Sequence, residues 1–232
     1  MQSTIVLAIM VLASIFTGAE YLRNNSTEGN AYKQFRAENI AANVLQYNDQ
    51  MIQYSLANYD SLHLLSTINP GNVEQINLPD YIQNNLANYT LKGYTAFLDY
   101  SSVVFNYAKA ANGESAPYPV LYLATSWESY ASNIHGYKNI GMDEVAGNLA
   151  QDLTEHLYQG NSTFWVVPWV FKQSNCNIID VYSQLPSDSS GASTLSKLQS
   201  LFNLLCTQVE AGSSYKFSTY VFLEPVINNP DM

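Results

Sequence analysis

The feature that most restricts how this chain can fold is a repeated change of apolar period along its second half. Val120–Thr125 reads as a strand. Asp143–Tyr158 then carries Val145, Leu149, Leu153 and Leu157 on one helical face. Thr163–Phe171 (TFWVVPWVF) and Asn177–Tyr182 return to strand composition. Gly191–Val209 resumes the helical spacing through Leu195, Leu198, Phe202, Leu205 and Val209, and Tyr215–Leu223 closes as an alternating strand. The order β-α-β-β-α-β fits the ferredoxin-like arrangement, so an α+β fold is expected for residues 113–232. Upstream, Asn112-Gly113 and the prolines at 117 and 119 predict a domain boundary.

The first half is dominated by one long amphipathic helix, expected over residues 32–60. Ala37, Ile40, Ala41, Val44, Met51, Ile52, Leu56 and Tyr59 recur every three or four residues, and neither Gly nor Pro interrupts them. Asn48 falls on the same stripe, where a polar side chain needs a partner. The turn Asn69-Pro70-Gly71-Asn72 and the step Leu78-Pro79 punctuate the chain downstream of this helix. Residues 89–99 then read as a strand interrupted by Gly93, and 101–111 as a short helix.

Residues 1–19 (MQSTIVLAIMVLASIFTGA) contain no charged side chain. As a helix, Ser3–Ala19 would span about 25 Å, a little less than a hydrocarbon core of roughly 30 Å. The expectation is an uncleaved membrane anchor followed by the polar linker 20–31. The alternatives are a signal peptide cleaved after Thr17-Gly18-Ala19, which lacks the usual basic flank, and a buried core helix. The organisation expected is therefore anchor or signal segment 1–19, helix-rich region 20–112 and α+β domain 113–232.

Charge narrows the partners. Nine Lys+Arg against 19 Asp+Glu leave a formal charge of −10, with no basic cluster to neutralise phosphates, so nucleic acid is not an expected ligand. Only 12 % of residues are charged, while 18 tyrosines and many Asn, Gln, Ser and Thr supply the polar surface. That composition leans toward an extracytoplasmic setting. Cys176 and Cys206, the two cysteines, lack CxxC spacing and point the same way. Paired, they would close a loop of about 30 residues and contribute roughly 3–4 kcal/mol in an oxidising compartment; the alternative is two buried thiols.

Catalytic motifs are missing: no GxSxG elbow, HExxH, Walker loop or GxGxxG occurs. His63, His135 and His156 are dispersed, and Asp143 and Glu144 are expected to stabilise the first turn of their helix. No catalytic residue, metal site or cofactor is expected. Asn24, Asn25, Asn88 and Asn161 match the glycosylation pattern, as any Asn-rich chain readily does. Trp165, Trp169 and Phe171 have two readings. They form a buried strand, or an edge strand set by Pro168 whose aromatics dock a partner. Stacking of a saccharide on the many tyrosines, among them Tyr47, Tyr54 and Tyr107, is a further alternative to simple packing.

The segments ENIAANVLQYNDQMIQYSLANY (38–59), NVEQINLP (72–79) and GYTAFLDYSS (93–102) resemble the PilM family of type IVb (thin) pilus systems. The family pattern falls on Ala42-Asn43-Val44-Leu45-Gln46-Tyr47, Leu78-Pro79 and Gly93-Tyr94. The resemblance covers residues 1–110 and leaves 113–232 unmatched. It implies a bitopic inner-membrane protein with a periplasmic domain, serving pilus assembly, conjugation or secretion without catalytic residues. Its expected partners are other pilus or secretion subunits, the membrane through residues 1–19, and a second copy in a homo-oligomer. The rival expectation is a cleaved, secreted minor subunit or adhesin with a Tyr/Trp-rich binding surface; a secreted hydrolase with an unfamiliar site is the remaining one.

Overall fold

The computed structural model describes residues 34–35, 37–62, 73–76, 98–109, 115–129, 142–157, 164–184, 191–212 and 217–227. The N-terminal apolar segment, the linker 20–31, the turn at 69–72, Leu78-Pro79, Gly93-Tyr94, His63, His135 and all four glycosylation-pattern asparagines lie outside them. So does the side chain of His156.

Helix α1 is described over 34–35 and 37–57, with a further helical turn at 59–62. The strands are β1 (Val73–Ile76), β2 (Leu98–Lys109), β3 (Ser115–Ser129), β4 (Trp169–Ser174), β5 (Asn177–Val181) and β6 (Tyr220–Val226). Helix α2 spans Met142–Leu157, a 3-10 turn covers Phe164–Val166, and α3 spans Gly191–Gly212. The fold is α+β. All six strands form one sheet, ordered β1-β2-β3-β6-β4-β5, in which every pairing is antiparallel.

Helices cover both faces of the sheet. On one face α1 and α2 bury Ala37, Ala41, Val44, Val145, Leu149 and Leu153 with Trp127, Val170, Tyr220 and Phe222. Further along that face Met51 and Leu62 meet Val104, Leu121, Leu123 and Val226. On the other face α3 packs Leu198, Leu201, Phe202, Leu205 and Val209 onto Phe105, Tyr122, Trp169, Phe171, Val221 and Leu223. Central strands buried on both sides read as continuous apolar runs rather than as alternation. This is why residues 101–109, expected as a short helix, are strand: Val103, Phe105 and Tyr107 face α3, while Ser102 and Val104 face α1.

Within 113–232 the elements follow the expected β-α-β-β-α-β order, but the strands are not arranged as in the ferredoxin-like fold. That fold places the second hairpin strand between the two parallel strands. Here β6 fills the slot between β3 and β4, and β5 lies at the edge. Side-chain chemistry accounts for the difference. On β6, Tyr220, Val221, Phe222, Leu223 and Val226 are all buried and suit a central position, whereas β5 is largely exposed. The sheet also continues across the boundary expected at 112/113, because β2 and β3 pair from Leu98↔Ser129 to Lys109↔Ser115. Pro117 and Pro119 lie between the pairings of Val120 and Ser115, in the irregular part of that register and beyond the stretch of β3 that β6 covers.

Two apolar stripes shift by a residue or drop an end. On α1 the buried positions are Ala37, Ala41, Val44, Asn48, Met51 and Ser55, and on the helical turn after it Leu62. Ser55 takes the place expected for Leu56, which is exposed, and its hydroxyl donates to the Met51 carbonyl at 2.8 Å. On α3 Leu195 is exposed, so the buried face begins at Thr194 and Leu198.

Candidate functional site

Trp169 and Phe171 are core residues with no exposed surface, so neither forms an outward-facing interface. The reason lies in where Pro168 falls. It precedes the first strand residue instead of sitting inside the ladder, so β4 can pair on both sides, with β6 and with β5. Trp169 leans on Phe164 and Phe171 meets Phe202 edge-on. Trp165 belongs to the 3-10 turn and is half-buried. It stacks on Tyr107 with ring centroids 5.6 Å apart, and its carbonyl accepts from the Tyr122 hydroxyl at 3.3 Å. Of the three aromatics, it alone retains exposed surface.

Cys176 and Cys206 are joined as a disulfide, with Cα atoms 6.0 Å apart. It ties the β4–β5 hairpin to α3. Asn175 and Cys176 have φ of 50° and 61°. Consecutive left-handed residues belong to the type I′ hairpin turn, whose twist matches that of the flanking strands. Asn accepts this conformation readily and Cys does so less often. The turn is fastened by side chains as well. Gln173 Oε1 accepts from the Cys176 N–H, and Gln199 on α3 donates to the Cys176 carbonyl at 3.0 Å while accepting from the Ile178 N–H at 2.8 Å. Asp180 accepts from the Val181 N–H at 3.0 Å. Two backbone donors of the edge strand are thus taken by side chains, which blunts β5 as a template for strand addition.

A second polar cluster joins α2 to the sheet. The Asp143 carboxylate accepts from Tyr182 Oη, Tyr220 Oη at 3.0 Å and Lys172 Nζ at 3.0 Å. Lys172 also lies 5.5 Å from the centre of the Tyr220 ring. Hydrogen bonds from Tyr182 and Lys172 hold the Asp143 pKa below its ordinary value, and burial together with the acceptor Asp143 pushes both tyrosines above theirs. Phenols held protonated in this way act as donors and not as bases or nucleophiles. Asp143 therefore tethers the start of α2 to β4, β6 and Tyr182, a role beyond the first-turn stabilisation read from sequence.

The third cluster is the most buried and has no counterpart in any motif. Asn48, in the middle of the α1 stripe, donates through Nδ2 to Glu224 Oε2 on β6 and accepts at Oδ1 from Thr125 Oγ1, 2.8 Å away on β3. Thr125 is 3.0 Å from Ser102 Oγ on β2, which approaches Tyr47 Oη at 3.5 Å. Asn48, Ser102 and Thr125 are buried. Glu224 keeps some exposed surface as a residue, yet its carboxyl lies deep between the helix and the sheet. Burial raises its pKa to about 8, with a further rise from Asp49 and a smaller opposing effect of the Asn48 hydrogen bond. Asp49, exposed as a residue, has its own carboxyl pushed upward by partial shielding. The sequence placed Asn48 on the apolar stripe and so demanded a partner. Nothing in the sequence marked Glu224, because its neighbours on β6 read only as an apolar strand.

Among the described residues no group of three or more His, Cys, Asp or Glu is placed to hold a metal ion. Nor, among them, is any helix long and apolar enough to cross a membrane. No protein-family model, no curated protein and no solved structure matches this chain.

Proposed function

We propose that this protein is a non-enzymatic, membrane-tethered component of a type IV (type IVb) pilus assembly or a related secretion or conjugation machine, acting from the periplasmic side by protein–protein binding. The observation that carries the reading is the disulfide between Cys176 and Cys206, built into the junction of hairpin and helix. Such a bond persists in oxidising compartments and not in the reducing cytosol. An exported domain preceded by the apolar run of residues 3–19 is the organisation of a bitopic protein, and the PilM-like segments at 38–59, 72–79 and 93–102 supply the machine. The polar clusters at Asp143 and Asn48 spend their hydrogen bonds on joining helices to the sheet, which supports binding over catalysis. Because side chains take two donors of the β5 edge, subunit contacts would use helix faces in preference to strand addition there.

The test is the mass of the N-terminal peptide of the mature protein, taken from separated inner-membrane and periplasmic fractions. An intact Met1 segment in the membrane fraction, with cross-links to neighbouring pilus subunits, supports the proposal. Cleavage near Ala19 with release of the protein overturns the anchor and moves the assignment to a secreted pilus-associated subunit.

A further inference from the structure

The contact between α1 and the sheet encloses a carboxyl that has no cation beside it among the described residues. The fully buried part of the α1 stripe is two alanines, a valine, a methionine and a serine with Asn48 among them, flanked by the partly buried Ile40, Leu45, Ile52 and Tyr54. On the opposite face α3 buries Leu198, Leu201, Phe202, Leu205 and Val209. Buried apolar area largely sets how tightly an element is held, so α1 is held less firmly than α3. Across from Asn48, Glu224 is surrounded by Leu123, its neighbour on β3, and by Phe222 and Val226 on its own strand. The titratable groups on this face of the sheet are Tyr47, Asp49, Tyr54 and Tyr59 from α1 and the turn after it, and Tyr220 from β6; of these, Asp49 acts on Glu224 through its charge. β2 and β3 present Ser102, Val104, Leu121, Leu123 and Thr125, and β4 presents Val170. Among the described residues Lys172 is bound to Asp143, Lys197 lies on α3 across the sheet, and Lys109 pairs with Ser115 at the far end of β2 from Ser102. Among the described residues the charge that bears on Glu224 is therefore that of another carboxylate, Asp49.

We propose that α1 is fastened to the sheet by a protonation-dependent latch at Glu224, tight while the carboxyl carries its proton and loosened as the carboxyl ionises. The neutral acid sits beside the Asn48 amide without uncompensated charge. The anion is buried, feels the charge of Asp49 and has no cation among the described residues to offset it, whereas with the helix undocked it reaches water. This fixes the direction of the pH dependence. A folded-state pKa of about 8 lies above the ordinary glutamate value of 4.5. The docked state is therefore favoured most below 4.5, and that advantage is lost progressively up to about 8.

Hydrogen exchange by mass spectrometry on the full-length protein, between pH 5 and pH 8 and corrected for intrinsic chemical rates, tests the latch. In the wild type, opening of peptides from 34–57 should rise by up to about tenfold per pH unit, while peptides from 191–212 stay level. Glu224→Gln keeps the shape and the acceptor for Asn48 but cannot ionise, and should flatten the α1 response. A carboxyl titration of isotope-labelled glutamate in the unmodified protein gives a readout that needs no variant, with Glu224 titrating well above the other glutamates. The proposal is overturned if Glu224→Gln follows the wild type, if α3 opens together with α1, or if Glu224 titrates in the ordinary range.

Discussion

Placing Phe171 inside and Ile179 outside the same hairpin has a measurable consequence. Phe171 has no exposed surface and meets Phe202 of α3 with ring centroids 5.0 Å apart at 76°, whereas Ile179 is 57 % exposed on the edge strand. Removing the Phe171 ring loses roughly 2–3 kcal/mol of transfer free energy. Loss of the aromatic pair adds about 0.5–1.5 kcal/mol, and the cavity left between β4 and α3 adds more. The sum agrees with the roughly 3–5 kcal/mol typical of buried Phe→Ala changes. Ile179→Ser, on exposed surface, should stay within about 0.5 kcal/mol of the wild type. Urea unfolding followed by tryptophan fluorescence reads both, and Phe171→Ala should shift the midpoint with little change of slope. At roughly 2–4 °C per kcal/mol for a chain of this size, the same variant should lower Tm by about 6–20 °C. The inside-out assignment is refuted if the two variants cost alike, or if Phe171→Ala costs under about 1 kcal/mol.

Three further expectations concern the tethers between elements. Replacing both Cys176 and Cys206 by serine should cost about 3–4 kcal/mol for a loop of this length, read as the gap between oxidised wild type and the double variant in urea; no gap would mean that the bond does not constrain the unfolded chain. Gln199→Leu uncaps the Ile178 N–H and should cost about 1 kcal/mol, with more self-association than the wild type in sedimentation velocity because an edge donor is exposed; identical association at equal concentration would remove the guarding role. Asp143→Asn should cost under about 1 kcal/mol, since its carboxylate is mostly exposed. Because the Asp143 pKa is lowered, that cost is present above the ordinary Asp value and should vanish in strong acid; a difference that persists there would assign the loss to packing.

Much of the fold could be read from periodicity, and the helix expected at 101–111 fails for a physical reason. Strand and helix order in 113–232 is right because α2 and α3 each bury only one face, which leaves a clean helical stripe. Residues 101–109 suggest a helix because a strand buried on both faces loses its alternation, and a continuous apolar run resembles a core helix. The aromatic run 164–171 leaves two readings open, a buried strand and an edge strand, and the buried one holds for Trp169 and Phe171. Its proline suggests an edge, but it stands one residue before the ladder, so Trp169 and Phe171 join the centre of the sheet. Strand order depends on which strand is apolar on both faces. That property separates β6 from β5 only when the whole sheet is considered together.

The polar clusters show where single-residue reading ends. Asn48 could be singled out because an amide on an apolar stripe contradicts its surroundings, and burial without a partner is costly. Its partners Glu224, Thr125 and Ser102 come from three strands and are 176, 77 and 54 positions away, or reached through one of the others. Only the sheet register brings them together, through Ser102↔Thr125 and Leu123↔Glu224. Glu224 in turn is an acid on a strand whose every other residue from Tyr220 to Val226 is buried. A soluble edge would leave such a residue in water, whereas a central strand forces it beneath α1. The anomaly legible in the helix and the one concealed in the strand are therefore two ends of one contact. Its pH dependence falls to Glu224, because the Asn48 amide is uncharged at any pH whereas the buried carboxyl acquires a charge when it ionises.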